Sequence, residues 1–143
     1  MPERGSALLR FNRNNDRGVL SLGKVNKVYV VDADYAVRES MVALLGSAGL
    51  ATRSFSTVGA MLEGFDESEA GCVTADLGGK DTPGLRMLAT LRGRGHSVPV
   101  VLFSTHWDAE KKRLAEKAGA AALLAKPSDP GEILRLIRAL LAG

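Results

Sequence analysis

The stretch Cys72-Val73-Thr74-Ala75-Asp76-Leu77-Gly78-Gly79, with Pro83-Gly84 behind it, decides how this chain is organised. An apolar run bounded by Gly71 and Gly78-Gly79 reads as a buried strand of a parallel sheet, about four to eight residues long. It ends in one carboxylate, at the junction of strand and loop. In open α/β sheets, ligands and chemistry gather at the carboxyl ends of the strands, so Asp76 is the first candidate functional residue. An aspartate in that place can also simply cap the loop or helix that follows. The residue alone leaves both roles open.

Working outward, the elements on either side alternate. Lys27 to Val31 is a β-branched run that halts at Asp32-Ala33-Asp34. Val37, Met41, Leu44, Leu45 and Ala48 then trace one face of a helix, with Gly49 as its stop. Leu50 to Phe55 suits a second strand, Thr57 to Phe65 a short helix, and Asp66 to Gly71 a polar loop. Beyond Asp76, the apolar spacing from Leu85 to Leu91 predicts a third helix, ended by Gly93 and Gly95. Val98 to Phe103 is the most apolar strand, with Pro99 near its start where proline is tolerated, and it runs out at Ser104-Thr105. Asp108 caps a mostly charged helix through Lys117, whose weak apolar face predicts a loosely anchored element. Ala121 to Ala125 is a fifth strand, ending at Lys126-Pro127. Asp129-Pro130-Gly131-Glu132 combines an N-cap, a proline at the first helical position and a glutamate at the third, a strong start for a last helix. Five strands alternating with five helices make a doubly wound parallel sheet, because parallel neighbours need crossover helices.

Composition bounds what such a chain can do. Its 143 residues suffice for one core, and 45% hydrophobic with 24% charged residues is ordinary for a globular protein. No apolar run approaches the ~18 residues that span a bilayer, and the N-terminus lacks a signal-peptide layout. The single cysteine, Cys72, excludes an internal disulfide. With no signal, this fits a reducing cytoplasm, and Cys72 reads as a buried small hydrophobe. The formal charge of +3 lies entirely in residues 1–24, where five basic residues face two acidic ones. A basic tail can touch nucleic acid or acidic lipid. This one is short and broken by Asn12, Asn14 and Asn15, which favours a disordered, solvated extension ahead of a domain at 25–143. Neither direct nucleic-acid binding nor membrane attachment is expected.

The strand ends collect a chemical set: Asp32 and Asp34 from the first, Asp76 from the third, Ser104 with Thr105 from the fourth, Lys126 from the fifth. Phosphoryl transfer relies on positioning and charge neutralisation. A carboxylate can attack phosphorus, and a second can help hold Mg²⁺. A hydroxyl and an ammonium can meet the remaining phosphoryl oxygens. The plain structural alternative pairs Lys126 with Asp76 as an ion pair, which a resting site would also show. His96 and His106 fall in loops without paired ligands at metal spacing and make no zinc site. His106 and Trp107 flank the crevice, placed to touch a partner or gate access.

In order and spacing, residues ~25 to 141 resemble the response-regulator receiver domain of two-component signalling. The motifs that carry the resemblance are Val-Val-Asp32-Ala-Asp, Thr-Ala-Asp76-Leu with Pro83-Gly84, Val98-Pro-Val-Val-Leu-Phe-Ser104, and Ala118-Gly119-Ala with Lys126-Pro127. The resemblance implies strand order 2-1-3-4-5, Asp76 as phospho-acceptor, Ser104 as switch hydroxyl and Lys126 as phosphate-sensing lysine. It also implies a cis Lys126-Pro127 bond, and Mg²⁺ held by Asp32, Asp76 and the Gly78 carbonyl. The partners it implies are a sensor histidine kinase or phosphotransfer protein, and a downstream protein or a second copy of the chain. Such a domain is not an enzyme beyond its own phosphorylation and dephosphorylation.

Three positions depart from the family pattern. Ala33 stands where a second acid usually ligates the metal, so Mg²⁺ is expected to bind weakly. Leu123 replaces the usual switch aromatic, and Lys80 a common proline. Two further readings follow. One is a pseudo-receiver serving as a phosphorylation-independent interaction module. The other is a haloacid-dehalogenase-type aspartyl phosphatase with Asp32 as nucleophile and Asp34 as acid–base, which leaves Asp76 without a role.

Overall fold

A computed structural model of the chain describes residues 26–143 and, before them, two three-residue strands, Leu9–Phe11 and Leu20–Leu22, paired antiparallel. The rest of the expected extension lies outside the described residues. From there on, strands and helices alternate. The strands are β1 (Lys27–Val31), β2 (Thr52–Phe55), β3 (Ala70–Asp76), β4 (Val100–Ser104) and β5 (Ala122–Ala125). The helices are α1 (Tyr35–Ser47), α2 (Val58–Gly64), α3 (Pro83–Gly93), α4 (Ala109–Ala118) and α5 (Pro130–Ala142). All strand pairings in this sheet are parallel, in the order β2-β1-β3-β4-β5. That is the doubly wound 2-1-3-4-5 arrangement expected from the sequence.

Strand alternation divides the core into two layers. Tyr29, Val31, Val73, Ala75, Val100 and Leu102 face α2, α3 and α4, where Met61, Met87, Leu88, Leu91 and Ala115 are buried. Val28, Val30, Cys72, Val101 and Phe103 face α1 and α5, meeting Leu45, Ile133 and Ile137. The Cys72 thiol is fully buried, and loss of hydration pushes it up to about 12. Both facts fit the small-hydrophobe reading.

Several boundaries moved by a residue or two, with visible reasons. The segment expected as a polar loop to Gly71 already belongs to β3 at Ala70. Gly71 lies inside the strand, and only glycine fits there: a Cβ would sit 2.6 Å from the Leu141 side chain of α5 and 2.8 Å from Asn26. Pro99 stays outside β4, which starts at Val100 and runs on through Ser104. The helix starts were legible from their caps. Asp108 accepts from the Lys111 N–H at 2.8 Å, and Asp129 from the Glu132 N–H at 3.0 Å. Helix α4 buries only Ala115 completely. Its C-terminal Gly119 carbonyl is held by the Arg92 guanidinium of α3 at 3.0 Å.

The amino-terminal edge of the sheet carries a polar cluster that sequence reading did not foresee. Glu69, just before β3, accepts from the buried Tyr29 hydroxyl, from Lys27 at 3.0 Å and from Arg53 at 3.1 Å. Arg53 lies over the Tyr29 ring, 5.4 Å from its centroid, and also donates to the Gly64 carbonyl at 2.8 Å. Bonds from Tyr29 and Lys27 outweigh the burial that opposes them and hold the Glu69 carboxyl at about 2. A carboxyl depressed when folded adds stability that is complete above its unfolded value and fades as pH falls. Glu69→Gln should therefore melt below the parent chain at pH 6 and converge with it between pH ~4.5 and ~2. Thermal melts across that range check the expectation; a constant gap would show that the charge on Glu69 contributes nothing.

Candidate functional site

The carboxyl ends of four strands converge on one crevice. Asp32 directly follows β1, Asp76 ends β3, Ser104 ends β4 and Lys126 directly follows β5. β1 and β3 are hydrogen-bonded neighbours, which brings the two carboxylates side by side. The Lys126 ammonium lies between them, 2.7 Å from Asp32 Oδ2 and 3.0 Å from Asp76 Oδ1. Partial burial disfavours the charge on this lysine. Its bonds to Asp32 and Asp76 more than offset that, and the net effect raises its pKa. Asp76 remains the more open of the two acids, its side chain 32% exposed against 11% for Asp32.

Each acid is also fixed by the backbone. Asp76 Oδ2 accepts from the Gly78 N–H at 3.0 Å, and Asp32 Oδ1 from the Asp34 N–H at 2.9 Å. Gly78 has φ of +91°, a conformation glycine adopts freely. Behind the loop, Gly84 opens α3 against the end of β3, where a Cβ would stand 2.4 Å from the Asp76 carbonyl oxygen. The Pro83-Gly84 pair is thus what lets the helix start so close under Asp76. Lys126-Pro127 is cis.

The structure separates the residues that the sequence grouped. Asp32, Asp76 and Lys126 meet, and Ser104 stands at the end of the neighbouring strand. Asp34 does not join them: it is the N-cap of α1, its side chain accepting from the Val37 N–H at 3.1 Å. The Ser104 hydroxyl is turned into its own loop, donating to the His106 carbonyl at 3.0 Å and accepting from the His106 N–H at 3.1 Å. Thr105 and His106 are exposed. Trp107, expected at the crevice rim, is half-buried instead, and its Nε1–H donates to the Leu124 carbonyl of β5 at 2.8 Å. His96 lies away from the site, paired with Glu67 and against Phe65.

One contributor was missed. Arg38, on α1, donates to the Asp32 carbonyl at 2.7 Å and thereby holds the β1–α1 loop. Only its position one turn into the helix, on the side facing that loop, could have signalled it. As donors for a hard cation, the crevice offers the Asp32 and Asp76 carboxylates. Two carboxylates suit Mg²⁺, which keeps several waters when bound. No cluster of three or more His, Cys, Asp or Glu side chains poised for a metal occurs among the described residues.

Comparison with known proteins gives the chain a family. It matches the response regulator receiver domain family over residues 28–138. It is 37% identical to the transcriptional regulatory protein FixJ of Azorhizobium caulinodans over 114 residues, covering 80% of this chain and 54% of FixJ. To the response regulator protein TodT of Pseudomonas putida F1 it is 32% identical over 118 residues, covering 82% of this chain and 52% of TodT. Among solved structures, the response regulator StyR superposes with a TM-score of 0.75 at 31% identity, over 82% of this chain and 59% of StyR. The chain thus spans about half the length of the curated relatives it matches. A family match over most of the chain, together with these relatives, shows that the chain belongs to the response regulator receiver domain family.

Proposed function

We propose that this domain accepts a phosphoryl group on Asp76 from a histidine kinase or phosphotransfer protein and passes the change on through a protein–protein surface. The carrying observation is the Lys126 ammonium held between Asp32 and Asp76, with Asp76 the more accessible acid. In the transfer, a carboxylate oxygen of Asp76 bonds to phosphorus as the bond to the donor nitrogen breaks, and the donor imidazole keeps that electron pair. Lys126 and Gly78 N–H orient the carboxylate. Lys126 can then follow the charge onto a phosphoryl oxygen, because an acylated carboxylate no longer attracts it. A bound Mg²⁺ would neutralise phosphoryl charge, held by Asp32, Asp76 and the Gly78 carbonyl.

Asp34 weighs against the phosphatase reading, since the acid–base group that reading needs is engaged as a helix cap. The same cap favours keeping the pseudo-receiver as second reading. With Ala33 beside it and Asp34 committed, the metal gains no third carboxylate.

Treating the protein with acetyl phosphate and Mg²⁺, reducing the acyl phosphate with borohydride and sequencing the peptides should place the label on Asp76. It should vanish in Asp76→Asn. Label on Asp32 would support the phosphatase, and no label at all the pseudo-receiver.

Ala33→Asp should tighten Mg²⁺ and speed phosphorylation by acetyl phosphate. Mg²⁺ titrations identical to the parent chain would mean that the site is limited by something other than its carboxylate count.

The output face is proposed to be α4, β5 and α5. Phosphorylation adds roughly −1.5 to −2 charge and three acceptor oxygens. If Ser104 turns toward them it gives up both bonds to His106, and the loop leading into α4 must follow. Hydrogen exchange with and without beryllofluoride should change along 105–125; changes confined to 37–60 would refute this face.

A further inference from the structure

A second feature lies beneath the acidic site, and nothing in the phosphorylation reading uses it. Between α1 and α5, against the face of β1 and β3, runs a cavity of about 380 Å³ that opens beside Asp32 and Asp76. Its walls are mostly apolar, formed by Val30, Val37, Met41, Leu44, Phe103 and Ile133, with the polar groups gathered toward the mouth. The volume falls within the ~300–1,000 Å³ of small-molecule pockets.

One residue does not fit an empty apolar gap. Thr74, in the middle of β3, lines the cavity and is 2% exposed. Strand alternation places its side chain on the same face as Cys72 and Asp76. Among the described residues its hydroxyl has no hydrogen-bond partner. A buried hydroxyl without a partner is destabilising, and valine would fill the same shape without that cost. Water is a poor answer, because an ordered buried water needs two to four polar partners. Of the polar groups nearer the mouth, Asp32 and Asp76 are engaged with Lys126 and the Ser128 hydroxyl with the Ala125 carbonyl, while Ser40 sits on the exposed side of α1.

We propose that this cavity is a binding site for a small uncharged amphiphile, an apolar body carrying a single hydroxyl or carbonyl that pairs with Thr74. The apolar walls take the body. An anionic head would meet two carboxylates at the mouth, and a cationic one would have to displace Lys126. The cavity shares Asp32, Asp76 and Lys126 with the acceptor site at its mouth, but its apolar interior does not require phosphorylation to bind a ligand.

The test uses the full chain without Mg²⁺ or phosphoryl donor, so its result is independent of the acceptor reading. Methyl NMR titrations with 4-ethylphenol and with ethylbenzene should give saturable shifts at Val30, Val37, Leu44 and Ile133, with 4-ethylphenol the tighter. Thr74→Val should weaken 4-ethylphenol about three- to tenfold, the scale of one neutral hydrogen bond, and leave ethylbenzene unchanged. Val37→Phe, which fills the cavity from the half-buried side of α1, should abolish both while the circular dichroism spectrum is kept. Absence of saturable shifts at those methyls in the parent chain would overturn the proposal, as would 4-ethylphenol binding that is indifferent to Thr74→Val.

Discussion

Two ionised carboxylates on adjacent parallel strands repel each other, and their neutralisation by one lysine organises the carboxyl edge of the sheet. Asp32 and Asp76 are brought together by the β1–β3 pairing, and Lys126 reaches them from the far side of β4. The lysine therefore joins strands that are not neighbours: it follows β5, and its partners belong to β1 and β3. That bridge holds the edge together and leaves it responsive to charge. Anything that alters the charge on Asp76 changes what Lys126 is attracted to, and the change is felt two strands away.

The rest of the site holds the two acids by backbone contacts and the hydroxyl by its own loop. Backbone N–H groups hold Asp32 Oδ1 and Asp76 Oδ2, and Arg38 holds the loop after β1. On the opposite side, Ser104 is satisfied within its own loop by His106. The acids are thus positioned by the strands and their immediate turns. The hydroxyl is positioned by a loop with exposed residues on it.

Much of this was legible in the sequence because parallel α/β topology turns chain order into spatial order. Once the β-branched runs, the glycine stops and the Asp108 and Asp129 caps are recognised, the ends of the strands must share an edge, and Asp32, Asp76, Ser104 and Lys126 come with them. What stayed hidden were contacts decided by side-chain direction. Asp34 was grouped with the site because it lies two residues from Asp32, yet its geometry is that of an N-cap. Trp107 was placed at the crevice rim, but its indole found a carbonyl 17 residues on. The Glu69 cluster joins β1, β2 and the loop before β3, and no local pattern announces such a meeting. Thr74 was read as one more residue of an apolar strand, because only the packed structure shows that its hydroxyl has been left among hydrocarbon.

The Trp107–Leu124 bond has a consequence for how the domain meets other chains. β5 is an outer strand of the sheet, and the backbone groups of such a strand invite a further strand to add itself. Here the strand is only four residues long, and one of its carbonyls is taken by an indole from a neighbouring loop. Strand addition along β5 would have to evict the tryptophan first. The edge is accordingly guarded against strand addition by a single ring.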